Sequence, residues 1–138
     1  MSEVFKGSFT QQEPIPEAGI EAAVRVMRHG RLHRYNTVGE EVAAMLEQEF
    51  AALVGAQYCL AVASGGYAMA TALRAVGVKP GDRVLSNAFT LAPVPGAIAS
   101  LGAVPVFVGV TEDLTIDLDD LEAKGDTASV LLLSHMRG

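Results

Sequence analysis

The run Leu60-Ala-Val-Ala-Ser-Gly-Gly-Tyr-Ala-Met-Ala-Thr-Ala-Leu73 does most to limit what this chain can fold into. Residues 58–63 are uninterruptedly apolar apart from the edge, which predicts a strand covered on both faces. The run then breaks at two glycines into a stretch of helical character. A buried strand feeding directly into a helix is the building unit of a parallel α/β sheet. The same junction carries chemistry. N–H groups in the first helical turn have no intrahelical acceptor and the helix dipole is positive there, so an anion is favoured by about 0.3–2 kcal/mol before any side chain helps. Gly65 and Gly66 let such a ligand come close to the backbone.

The rest of the chain alternates in the same way. A helix is predicted over 16–29, with Pro16 in its first turn, Ile20, Ala23, Val24 and Met27 at helical spacing, and Gly30 as its stop. Residues 31–36 contain three basic or imidazole side chains and no periodicity, and read as a loop. A second helix is predicted over 38–54, with Val42, Met45, Leu46, Phe50 and Leu53 on one face and Gly55 at its end. After the glycine junction come a helix over 66–76, a turn over 77–82 and a strand over 83–86. A helix over 93–101, a strand over 104–110, a helix over 118–124 capped by Asp117, and a strand over 129–134 complete the order. Strands and helices at this spacing imply right-handed crossovers and a mostly parallel sheet with helices on both faces. Residues 1–57 read as N-terminal helices and a loop packing on a larger α/β domain whose first part is 58–138.

Composition narrows the function classes. A net charge of -6, with ten lysines and arginines scattered along 138 residues, argues against nucleic acid or an anionic membrane surface as partner. No apolar stretch reaches the length of a membrane span and the N-terminus has no signal-like apolar region, which predicts a cytoplasmic protein. The single cysteine, Cys59, cannot form an internal disulfide and is expected in the core. His29, His33 and His135 lack the short spacing of a metal site, so no metal is expected. The glycine junction is not a P-loop, because no Gly-Lys-Ser/Thr follows, and it does not fit the dinucleotide pattern G-x-G-x-x-G. The acidic run 112–122 interleaves carboxylates with apolar residues and reads as a turn and a short helix.

Taken in order, GRLHRYN (30–36), AVASGGYAMATAL (61–73), VGVKPGDRVL (76–85), NAFTLAP (87–93) and LGAVPVFVGV (101–110) resemble the front half of the DegT/DnrJ/StrS sugar aminotransferases. Those are fold-type I enzymes that use pyridoxal 5'-phosphate (PLP). The resemblance implies an α/β large domain, incomplete in this chain. It also implies that Ser64, Gly65, Gly66 and Tyr67 stand where the family's Ser-Gly-Thr loop holds the PLP phosphate. Gly66 replaces the threonine, so backbone donors remain and one hydroxyl is lost. The family's ring-stacking aromatic aligns with Leu91, and Phe89 matches the aromatic before it. Stacking is worth only about 0.5–1.5 kcal/mol beyond burial, so either residue can cover the ring. The family's PVFVD reads PVFVG here, with Gly109 in place of aspartate.

The resemblance further implies that the aspartate meeting the pyridine nitrogen and the lysine carrying the cofactor lie beyond residue 138, on the same polypeptide or a companion chain. Lys6, Lys79 and Lys124 do not suit that job, which needs a buried, desolvated amine. The implied reaction moves an amino group from an amino acid, typically glutamate, to a nucleotide-linked keto sugar. The implied assembly is a homodimer with shared active sites, in which Arg31, His33, Arg34 and Tyr35 reach the neighbouring site. Two alternatives stay open: a PLP-dependent sugar dehydratase of the same family, and a non-catalytic protein that binds a phosphorylated metabolite at the glycine loop.

Overall fold

The computed structural model describes residues 7–8, 10, 12–30, 32 and 42–136. The chain divides into two compact units, Met1–Ala61 and Val62–Gly138. In the first, helix α1 (Glu17–His29) starts after Pro16, whose φ of -56° is already set for a helix, and carries Glu17 in its first turn. It ends at Gly30, whose φ of 66° is left-handed and whose N–H donates to the carbonyls of Val26 and Met27. Helix α2 (Val42–Val54) buries Ala51 alone; Met45, Leu46, Phe50 and Leu53, its expected inner face, are exposed. The predicted start of this helix at 38, like the loop residues Arg31, His33, Arg34 and Tyr35, lies outside the described residues.

The strand expected over 58–63 does not form. This segment is irregular, with Tyr58 81% and Leu60 58% exposed, and Cys59 is half-buried instead of in the core. The physical reason is pairing. A strand exists only as part of a ladder, and among the described residues no strand hydrogen-bonds to this run. The Ala61 N–H instead donates to Glu47 Oε1 at 2.7 Å.

The second unit is a small parallel α/β layer. Helix α3 (Gly65–Ala75) leads through a turn to strand β1 (Arg83–Asn87), then helix α4 (Pro93–Ala99), strand β2 (Val104–Val108), helix α5 (Leu118–Gly125) and the short strand β3 (Leu131–Leu132). The strands are parallel in the order β2-β1-β3, with Leu85 opposite Val106 on one side and Leu131 on the other. β1 extends to Asn87, one residue past the predicted end, whereas β2 and β3 are shorter than the apolar runs that announced them. Val110, expected in β2, instead makes an isolated antiparallel bridge with Ile116.

The step from β1 to β2 moves one way along the sheet, and the step from β2 to β3 returns past β1. With right-handed crossovers, α4 and α5 therefore cover opposite faces. On one face, α3 and α4 pack together over β1 around Ala70, Leu73, Val84, Ala97, Ile98 and Leu101. Val84 and Ile98 are fully buried, the kind of side chain worth about 1.5–3 kcal/mol each in burial. The turn before β1 depends on Gly102: its φ is 72°, its carbonyl accepts from Gly81 N–H at 2.8 Å, and a Cβ there would stand 3.1 Å from Pro80 Cβ.

Candidate functional site

In an open parallel sheet, loops leaving adjacent strands toward opposite faces diverge and leave a crevice at the carboxyl ends. Here β1 exits to α4 and β2 exits to α5, so the crevice lies beyond Asn87 and Val108. The first turn of α3 borders the same end of the sheet: a Cβ on Gly66 would lie 3.8 Å from Pro93 Cβ, at the start of α4. Ser64, Gly65, Gly66 and Tyr67 thus stand at the start of α3, and Phe89 and Leu91 in the turn that leads into α4, which packs on α3.

Ser64 is the N-cap of α3. Its backbone is extended, with φ -161° and ψ 159°, and its Oγ accepts from Tyr67 N–H at 3.2 Å. That contact satisfies the third amide of the turn and leaves those of Gly65 and Gly66 with no acceptor upstream in the helix. Space is available in front of them, since a Cβ on Gly65 would meet nothing within 4 Å. The Tyr67 ring is exposed, and its carbonyl accepts from Thr71 Oγ1 at 2.8 Å.

The turn after β1 is anchored at both ends. Ala88 N–H donates to the Val108 carbonyl at 2.8 Å, and Val94 N–H, in the first turn of α4, donates to the Leu91 carbonyl at 2.9 Å. Between these anchors Phe89 is half-buried and Leu91 is 60% exposed. Sequence reasoning passed over three polar residues here. Asn87 is 4% exposed and its side chain hydrogen-bonds to Phe89 and Ser134; Ser86 Oγ and Thr90 Oγ1 are buried with no partner. The signal was present in Ser-Asn closing an apolar run, because polar residues at the carboxyl end of a parallel strand sit where sites form.

The opposite wall is tied by charge. Asp120 Oδ2 accepts from Gly109 N–H at 2.6 Å and from Lys124 Nζ at 2.7 Å, and Lys124 also donates to the Phe107 carbonyl. The Gly109 amide, followed by the Lys124 ammonium, holds the Asp120 carboxyl below its usual range. Asp117 caps α5 through the amides of Asp119 and Asp120, as its sequence position predicted. The acidic run is therefore structural. His135 is exposed. Among the described residues no group of three or more histidine, cysteine or acidic side chains is placed to hold a metal, and no helix is long and apolar enough to cross a membrane.

Comparison with known proteins gives this arrangement a context. The model of the DegT/DnrJ/EryC1/StrS aminotransferase family matches residues 15–138. The chain is 40% identical over 103 residues to UDP-2-acetamido-2-deoxy-3-oxo-D-glucuronate aminotransferase of Pseudomonas aeruginosa, covering 75% of this chain and 26% of that protein. It is 38% identical over 118 residues to 3-amino-5-hydroxybenzoate synthase of Amycolatopsis mediterranei, covering 83% and 29%. Among solved structures, a protein described as a sugar aminotransferase of Streptococcus pneumoniae, in its PLP form, superposes with a TM-score of 0.74 at 27% identity. That match covers 87% of this chain and 30% of the other. The same protein has been solved in PMP and apo forms. The chain thus spans between about a quarter and a third of the length of these relatives.

Proposed function

The chain belongs to the DegT/DnrJ/EryC1/StrS aminotransferase family, and from that premise we propose that it forms the phosphate-binding end of a PLP site in a sugar aminotransferase. The reaction moves an amino group from an amino acid to a keto sugar carried on a nucleotide. The observation that carries this reading is the pair of amides, on Gly65 and Gly66, that Ser64 leaves without acceptors at the open N-terminus of α3. A phosphate fits there by charge and by donor geometry. The sugar-nucleotide substrate is supported by the name of the Pseudomonas aeruginosa relative. The 3-amino-5-hydroxybenzoate synthase favours a second reading, in which the acceptor carbonyl belongs to a different ring.

PLP, when bound, supplies an electron sink for amino-group transfer. The chain's own residues bind and orient. Gly65 and Gly66 donate to the phosphate, Ser64 keeps the turn open by occupying Tyr67 N–H, and Phe89 and Leu91 shield the ring from water. Neither described lysine fits the role of carrying the cofactor: Lys79 is exposed in a turn and Lys124 is paired with Asp120. That lysine, and the aspartate for the pyridine nitrogen, we assign to the rest of the polypeptide or to a companion chain. Residues 1–57 then form the N-terminal helices and loop, and the large domain begins at 58. A homodimer with shared sites, in the cytoplasm, brings Arg31, His33, Arg34 and Tyr35 to the neighbouring site.

The full-length protein tests this reading by titration with PLP. A visible absorption band, a rise in Tm on adding PLP and competition by inorganic phosphate are expected. Absence of both band and stabilisation overturns the cofactor reading. A PLP-binding protein that forms no amino sugar from glutamate and a UDP-linked 3-keto sugar overturns the substrate.

A further inference from the structure

At the carboxyl end of β1 the two flanks are closed by different means. Toward β2 the main-chain ladder runs on, with Ala88 N–H donating to the Val108 carbonyl at 2.8 Å. Toward β3 the regular pairing stops at Ser86 opposite Leu132. There the Asn87 side chain takes over. Its Nδ2 donates to the Phe89 carbonyl at 2.7 Å and to the Ser134 carbonyl at 3.2 Å, and its Oδ1 accepts from Ser134 N–H at 2.9 Å. The partners, one N–H and two carbonyls, define which side-chain atom is oxygen and which is nitrogen.

The amide acts as an inserted peptide group. It engages both main-chain groups of Ser134 and at the same time holds the first residue of the turn that carries Phe89 and Leu91. Asn87 is 4% exposed and its partners Phe89 and Ser134 are half-buried, so losing one of these bonds leaves a partly buried carbonyl or N–H unpaired. From this geometry we infer that Asn87 is a positioning residue of the cofactor site: it couples the turn that covers the ring to the segment after β3, so that the two walls hold one spacing. This rests on the PLP reading above. Asn87 touches no reacting atom in this role and acts through Phe89 and Ser134.

The test uses the full-length apoprotein and three readouts: the Kd for PLP, the visible circular dichroism of the bound cofactor, and hydrogen exchange at Ser134 and at residues 89–91. Asn87→Leu removes all three hydrogen bonds at similar volume, and Asn87→Asp keeps the acceptor for Ser134 N–H but loses both donors. Each variant is expected to raise the Kd about tenfold, as a lost buried hydrogen bond would, and to weaken the dichroism. A staple of purely structural effect would lower Tm and leave Kd and dichroism within about twofold of wild type, which would overturn the inference. Should neither variant fold, wild type decides: PLP must slow exchange at Ser134 and at 89–91 together, and slowing at 89–91 alone overturns the coupling. A wild-type protein that does not bind PLP refutes the cofactor reading itself, a result visible in the same titration.

Discussion

Residues 58–63 are apolar throughout and form no strand, whereas β1, in which only Val84 and Leu85 are apolar, forms one. β1 has a parallel neighbour on each side and is buried from Val84 to Asn87. The earlier run has no neighbouring strand among the described residues, and its Ala61 N–H donates to the Glu47 carboxylate. Hydropathy marks what a finished protein must cover. Whether a segment becomes a strand depends on a second segment, often distant in sequence, that can complete its hydrogen bonds.

The largest test of that contrast is truncation on each side of it. Ile98→Ala, beneath β1, should lower unfolding free energy by about 2–5 kcal/mol, whereas Leu60→Ala in the 138-residue chain should change it by no more than about 0.5 kcal/mol. Urea denaturation of both variants measures the difference; comparable losses would erase the contrast. A middle-sized effect is expected from Gly102→Ala, which forces a side chain into a left-handed backbone 3.1 Å from Pro80 Cβ, at a cost of about 1–2 kcal/mol. Because Gly102 stands two residues before β2 and its carbonyl holds the turn into β1, hydrogen exchange should quicken in β1 and β2 and stay unchanged over residues 58–63.

Ser64→Ala removes the α3 cap and should cost about 0.5–2 kcal/mol, read as a lower denaturation midpoint, with weaker phosphate binding in the full-length protein. The smallest effect concerns Asp120. Its folded pKa is depressed, so its contribution is present above the ordinary carboxylate value of 3.8 and is lost as pH falls through the lower folded value. The Tm deficit of Asp120→Asn should therefore be seen at pH 6 and shrink toward pH 3; a deficit that grows with acid would contradict the sign.

Helix ends were legible in both units because their signals are local. Asp117 stands one residue before its helix and Gly30 one residue after, and each satisfies amides or carbonyls within a few positions. What sequence did not disclose is cooperative over distance. Asn87 meets Ser134 across 47 positions, and the apolar residues of α2 have an expected inner face that the described contacts do not cover. A polar residue ending a strand looks like the start of a loop until the segment it binds is in place.

Helices α3 and α4 pack on one another through Ala70, Leu73, Ala97 and Ile98, which makes them one mechanical part. A ligand held at the α3 amides would therefore be carried with α4. Opening such a site by swinging either element alone would first have to unpack Ala70, Leu73, Ala97 and Ile98, so any gate must be hung on segments outside this block.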